Sequence, residues 1–210
     1  QRIDGNAAFF TGYDCDSLAL EHLSGFVEDV LPFFRDRRDA WVELRTKSVN
    51  IRPLLDSEPF ERCVVAYSLT PPSFSERYEH GAPKFAHRLE ALARLQEAGW
   101  SIGLRFDPLF AIEGFDWEFS QMLAQLFDRI DPASVHSASL GLFRLPKDFH
   151  RRITKLYPDE PLLAMTLEPA EAGSSASLLS FPPERGKHLL EACTESLLRY
   201  LPQDRLFPCS

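Results

Sequence analysis

The chain reads as an α/β protein built on a mostly parallel sheet, and three features carry that expectation. Short apolar runs alternate with longer stretches of helical periodicity from end to end. One short run, Cys63 to Leu69, is apolar at nearly every position, the pattern of a strand covered on both faces. Prolines and glycines fall between the runs, where they end elements. The 210 residues are 44% hydrophobic and 26% charged, enough to bury a core, which excludes a disordered chain. Residues 1–210 are expected to form a single domain with a loop excursion at about 168–183.

The first run, Ala7 to Phe10, predicts a strand that stops at Thr11-Gly12. Asp16 or Ser17 then has the short oxygen side chain that caps a helix, and Leu20, Leu23, Val27, Val30 and Leu31 carry helical spacing to about Phe34. Trp41 to Thr46 alternates apolar and polar residues and predicts a second strand, followed by a turn of helix limited by Pro53. Cys63 to Leu69 is the third strand, stopped by Pro71-Pro72. A polar loop leads to a helix over 84–98, with Leu89, Leu92 and Leu95 on one side and Gly99 as its C-terminal cap. Ser101 to Phe106 predicts a fourth strand ended by Asp107-Pro108, and Trp117 to Ile130 a helix. Val135 to Phe143 predicts a fifth strand, Pro146 to Leu156 a helix with proline in its first turn, and Glu184 to Tyr200 a long helix. Arg205 to Phe207 forms a short last strand. Strands alternating with helices imply right-handed βα units, in a (β/α) barrel or a doubly wound open sheet.

Charge and cysteine content narrow the function classes. Lys plus Arg number 23 and Asp plus Glu 31, a net charge of 23 − 31 = −8, which offers no general attraction for polyanions. A nucleic-acid partner therefore needs a local basic patch, and the helix carrying Lys147, His150, Arg151, Arg152 and Lys155 is the place for one. Cys15, Cys63, Cys193 and Cys209 are widely separated, without a C-x-x-C pair, and read as reduced thiols of a cytoplasmic protein rather than metal ligands. No apolar run is long enough for a transmembrane span or a signal peptide. G-x-G-x-x-G, G-x-x-x-x-G-K-[ST], G-x-S-x-G and H-E-x-x-H are absent, which removes the common dinucleotide, P-loop, hydrolase-elbow and zincin readings.

In either parallel architecture, function sits at the carboxyl ends of the strands. The residues there are Tyr13, Asp14, Cys15 and Asp16; Thr46, Lys47 and Asn50; Ser68 and Thr70; Asp107; and Ser139 with Arg144. One lysine among aspartates and hydroxyls suits a small polar ligand carrying a carboxylate and an amine. Plainer roles compete: a solvated lysine for Lys47, a turn opener for Asp107, helix capping for Asp14 and Asp16, and an inert thiol for Cys15.

Segments at and near these strand ends resemble a known family. Asp16 to Leu23, Val42 to Lys47, Ala66 to Leu69, Glu79 to Ala82, Arg88 to Ala91, Glu97 to Trp100, Phe106 to Leu109, Ser139 to Gly141 and Phe143-Arg144 resemble, in order, blocks of the spore photoproduct lyase family of the radical S-adenosylmethionine superfamily. The resemblance covers about residues 9–160, and Leu206 to Cys209 is similar to that family's C-terminal strand. It implies a partial (β/α)6 TIM-like barrel lacking its first βα unit, with S-adenosylmethionine (AdoMet) and, in the complete family, a [4Fe-4S] cluster. It places Lys47 at the carboxylate end of AdoMet, Ser68 beside it, and Asp16 and Asp107 near cofactor or substrate.

The family reaction starts when the cluster reduces AdoMet to a 5′-deoxyadenosyl radical that abstracts hydrogen from its substrate. The C-x-x-x-C-x-x-C motif that ligates the cluster is absent, so this chain alone is expected to hold no cluster and to be inactive, as part of a longer enzyme. The cysteine that returns a hydrogen atom in the family aligns at Tyr13; Cys15, two residues on, would face the same side of an extended segment. The substrate implied is a DNA photoproduct, with DNA as a possible partner. The alternatives are a degenerate barrel serving as a non-catalytic binding module and an unrelated (β/α) barrel enzyme. An open sheet edge at Ala7 to Phe10 implies homodimerisation.

Overall fold

The computed structural model describes residues 6–12, 15–170 and 178–208. Its centre is a six-stranded parallel sheet formed by β1 (Ala7–Thr11), β2 (Ala40–Thr46), β3 (Cys63–Ser68), β4 (Ser101–Leu109), β5 (Val135–Leu142) and β9 (Leu206–Pro208), in the order β1-β2-β3-β4-β5-β9. This is the expected half-barrel. Between the strands lie α1 (Glu21–Ser24), α2 (Phe26–Arg35), α3 (Arg52–Leu55), α4 (Pro72–Tyr78), α5 (Phe85–Glu97), α6 (Phe115–Arg129), α7 (Lys147–Leu156), α8 (Pro161–Ala164) and α9 (Pro183–Leu197).

The two faces of the sheet carry different chemistry because side chains alternate along a strand. One face is apolar and helix-covered: Leu44, Val65, Leu104 and Ala138 are fully buried there, and Phe106 stacks edge-on against Phe119 of α6 at 5.1 Å. The inner face is polar. Arg105 of β4 reaches across it to Glu43 of β2, with Nη2 donating to Oε2 at 2.5 Å and Nε to Oε1 at 3.1 Å, and to Ser137 Oγ of β5 at 3.0 Å. Arg45 adds a contact to the same carboxylate at 3.3 Å. The alternation Val42-Glu43-Leu44-Arg45-Thr46-Lys47 is the imprint of these two faces.

Four local departures from the sequence reading have physical causes. The first long helix is two helices, because Gly25 adopts φ 59° and closes α1 before α2 begins; Glu21 then caps α2, accepting the Val27 amide at 3.1 and 3.2 Å. β4 does not stop at Asp107 but continues through a cis Asp107-Pro108 bond to Leu109. The polar loop before α5 contains α4, started by proline at its first position and held by Phe74 against Phe110 and Phe115. The excursion expected at about 168–183 contributes β7 (Glu168–Pro169) and β8 (Leu178–Ser180); β8 pairs antiparallel with both β7 and β6 (Arg144–Pro146) as the central strand of a three-stranded sheet.

Gly12 closes β1 at the mouth of the sheet. Its φ is +73°, and a methyl group there would lie 2.3 Å from the Arg45 carbonyl oxygen, a backbone atom of the paired strand. Gly12→Ala is therefore expected to cost at least about 2 kcal/mol, from left-handed strain plus overpacking. A urea unfolding curve with an unchanged midpoint would contradict this placement.

Candidate functional site

A cavity of about 690 Å³ opens at the carboxyl ends of the strands, within the range of small-molecule sites. It is lined by Cys15, Asp16, Lys47, Ser68 and Asp107, all candidates named from the sequence. Tyr13, the remaining candidate, and Asp14 lie outside the described residues, as does Cys209. The cavity's β1–β3 side is polar; on the far side Pro108, Phe143, Pro146 and Leu178 supply an apolar wall with Asp107 and Arg144. A ligand with a charged end and an apolar, flat end matches this division.

Lys47 is held at the end of β2 by two carboxylates. Asp16 accepts the Lys47 backbone amide at 2.6 Å and the Thr46 hydroxyl at 2.7 Å, while also accepting the Leu18 and Ala19 amides, both at 2.9 Å. The helix expected to start at Asp16 or Ser17 begins only at Glu21, so this carboxylate closes the turn ahead of α1 rather than capping a helix, and it pins the strand end that presents Lys47. The Lys47 ammonium meets Glu79 Oε1 at 2.7 Å.

Glu79 and Arg88 were not singled out by the sequence reasoning, and they form the support of the site. Glu79 Oε2 receives Arg88 Nη2 at 2.6 Å and Ser75 Oγ at 2.7 Å; Oε1 receives Thr70 Oγ1 at 3.2 Å. Arg88 is 1% exposed and donates also to the carbonyl of Ser68 at 3.1 Å, fixing the end of β3. Burial alone would raise the Glu79 carboxyl; Lys47 and Arg88 beside it, with hydrogen bonds from Lys47 and Ser75, overcome that and hold it below its ordinary value of 4.5. The ammonium has three donors, of which Glu79 takes one, so Lys47 can still receive an anion.

Asp107 lies over the backbone of β5. A methyl group on Gly141 would fall 2.9 Å from Asp107 Cγ, so only glycine leaves room for this carboxylate. Ser139 sits between Ser137 and Gly141 on the same side of β5, and its buried Oγ has no hydrogen-bond partner among the described residues, a group that a ligand or ordered water would satisfy. The other described thiols play no part here: burial pushes Cys63 and Cys193 up to about 12, whereas Cys15 is exposed on the cavity wall. Among the described residues no group of three or more His, Cys, Asp or Glu side chains could hold a metal ion, and no helix is long and apolar enough to cross a membrane.

Sheet, cavity and strand-end lysine together define a parallel half-barrel with a small-molecule site at its strand termini. The family model for spore photoproduct lyase matches residues 2–172, and the chain belongs to that family. Spore photoproduct lyase of Geobacillus sp. (strain Y412MC61) is 20% identical over 166 residues, covering 76% of this chain and 49% of that protein. A solved double mutant of spore photoproduct lyase, with bound AdoMet and dinucleoside spore photoproduct, superposes with a TM-score of 0.84 at 18% identity, covering 99% of this chain and 62% of that one. A second mutant gives 0.85 at 17% identity with the same coverage, and these likenesses carry the fold. The chain thus spans about half of its curated relative's length and about three fifths of the solved ones.

The Glu79 cluster makes a pH-dependent prediction. A carboxylate held below its ordinary value stabilises the fold above about pH 4.5, and that stability is lost as pH falls through the folded value. Glu79→Gln is expected to cost about 3 kcal/mol at pH 7 by leaving Arg88 buried without its counter-charge. The gap between the two proteins should narrow on acidification. Urea titrations at pH 7 and pH 3 showing a constant gap would contradict the ion-pair role.

Proposed function

We propose that this chain is the AdoMet-binding barrel portion of a spore photoproduct lyase-type radical enzyme. The observation that carries the reading is Lys47, poised at the end of β2 against Glu79 and facing the cavity beside Ser68. AdoMet has an α-carboxylate, an amine and a flat adenine, which suit the cavity's cationic, acidic and apolar surfaces in turn. Lys47 receives the carboxylate, the Ser68 hydroxyl lies beside the cofactor, and Asp107 or Asp16 faces the amine or substrate. AdoMet bound there supplies one-electron chemistry once reduced. No group among the described residues fits an iron–sulfur cluster. Cys15, the one described thiol on the cavity wall, is assigned the return of a hydrogen atom to the substrate. The substrate follows the relatives' names: a dinucleoside photoproduct in DNA.

Calorimetric titration with AdoMet and with S-adenosylhomocysteine tests the reading. Both should bind, and Lys47→Ala should weaken each at least about tenfold, the loss of one charge-assisted contact. Equal affinity in wild type and variant would remove Lys47 from the site, and absence of heat with either compound would remove the function.

The outer edge of β1 supports self-association, since among the described residues β1 pairs with β2 alone and Phe9 and Phe10 beside that edge are exposed. Sedimentation velocity is expected to show a concentration-dependent dimer. A single monomer species at 100 μM or so would count against it, because edge-strand pairing of this size falls in the micromolar range.

A further inference from the structure

Asp16 lines the cavity, yet its carboxylate is occupied by the protein. Oδ1 accepts the Leu18 and Ala19 amides, both at 2.9 Å, and the Thr46 hydroxyl at 2.7 Å; Oδ2 accepts the Lys47 amide at 2.6 Å. Four donors thus meet the roughly four lone-pair sites of a carboxylate, so its hydrogen-bonding capacity goes to the fold rather than to a ligand. Two of those donors belong to the turn that follows Cys15, and two belong to the end of β2. One side chain therefore joins the two segments that carry the thiol and the lysine of the cavity.

The rest of the turn is fastened to the same strand. The Ser17 amide donates to the Arg45 carbonyl at 3.0 Å, and the Ser17 and Thr11 hydroxyls meet at 2.8 Å. Just beyond β2, Asn50 Nδ2 reaches back to the Leu18 and Ala19 carbonyls at 3.3 and 3.1 Å. Of these contacts, that of Asp16 alone reaches Lys47. It also needs a carboxylate, because both oxygens accept. An amide has a single accepting oxygen, so Asn at this position satisfies either the turn or the Lys47 amide and turns an N–H against the other.

We propose that Asp16 is a positioning residue that fixes the spacing between the Cys15 thiol and the ligand end held by Lys47. The inference rests on the proposed function, in which Cys15 returns a hydrogen atom and Lys47 holds the cofactor carboxylate. Transfer of that kind depends on placement: a misplacement of about 1 Å costs about a hundredfold in rate. Asp16 acts through its two neighbours and touches neither cofactor nor substrate. A ligand on Lys47 then stands against Cys15 and shields it.

The test reads Cys15 itself. The 210-residue chain is alkylated with iodoacetamide at about pH 8, close to where an ordinary thiol ionises, and each cysteine is followed by peptide mass spectrometry. Burial pushes Cys63 and Cys193 up to about 12, so their lack of reaction reports an intact fold in every variant. S-adenosylhomocysteine is the probe, with its affinity taken from calorimetry. At saturation it is expected to slow alkylation of wild-type Cys15 at least about fivefold, since reactivity follows exposure. Asp16→Asn should weaken its binding about fivefold and cut the protection at saturation to below about twofold, the effect of losing one charge-assisted contact. Thr46→Val removes one donor to Asp16 and should reduce the protection, whereas Thr46→Ser keeps that donor and should retain it.

Protection unchanged in Asp16→Asn, with Cys63 and Cys193 still unreactive, would overturn the inference. Should those two thiols react because Asp16→Asn unfolds, the Thr46 pair decides, and equal protection in Thr46→Val and Thr46→Ser would overturn it. So would S-adenosylhomocysteine that binds the wild type and leaves Cys15 alkylation unchanged. Absence of heat with the wild type would instead remove the proposed function. A ligand-free Cys15 rate shifted at least about threefold by Asp16→Asn would then leave the positioning of the thiol standing, and an unshifted rate would remove both.

Discussion

The site depends on one carboxylate that serves two cations of different kinds. Arg88 is sealed inside the fold, where a guanidinium is costly unless it is paired and its donors are used. Glu79 supplies the charge, and the carbonyls of Pro83 and Ser68 and the Ser75 hydroxyl take the remaining donors. The same carboxylate extends its other oxygen to Lys47, which is one third exposed and faces the cavity. Stability and function are thereby joined. The chain segment between α4 and α5 holds the ends of β2 and β3 in register, and the lysine that faces the cavity is positioned by a group the core needs in any case.

The inner face of the sheet extends the same logic downward. Glu43 with Arg105 and Arg45 forms a second cluster of one anion and two cations, four residues before Lys47 on β2 and so about 13 Å deeper. In a closed barrel such a face would be filled by branched apolar side chains. Here it is lined with charge and hydroxyls, Ser68, Ser137 and Ser139 among them, and the buried charges are matched across the sheet by Arg105 on Glu43 and Ser137. Each cluster sets two cations against one carboxylate, and Asp16 and Asp107 add negative charge at the strand ends, so both signs of charge line the cavity.

The strands were legible because parallel strands buried on both faces write continuous apolar runs, as Cys63 to Ser68 does with every residue buried. The rule that function lies at strand ends then gathered Cys15, Asp16, Lys47, Ser68 and Asp107, and the fold brings these around one cavity. Where proline or glycine was read as punctuation the result was mixed. Gly25 does divide a helix that periodicity alone ran together, while Pro108 does not end β4, which still pairs with β5 at Leu109. The small antiparallel sheet was invisible since its strands are two or three residues long, too short for any period. Glu79 and Arg88 were hidden for a different reason. Their pairing joins a loop to a helix nine residues on, and nothing local distinguishes a buried guanidinium from a solvated one until its partners are in place.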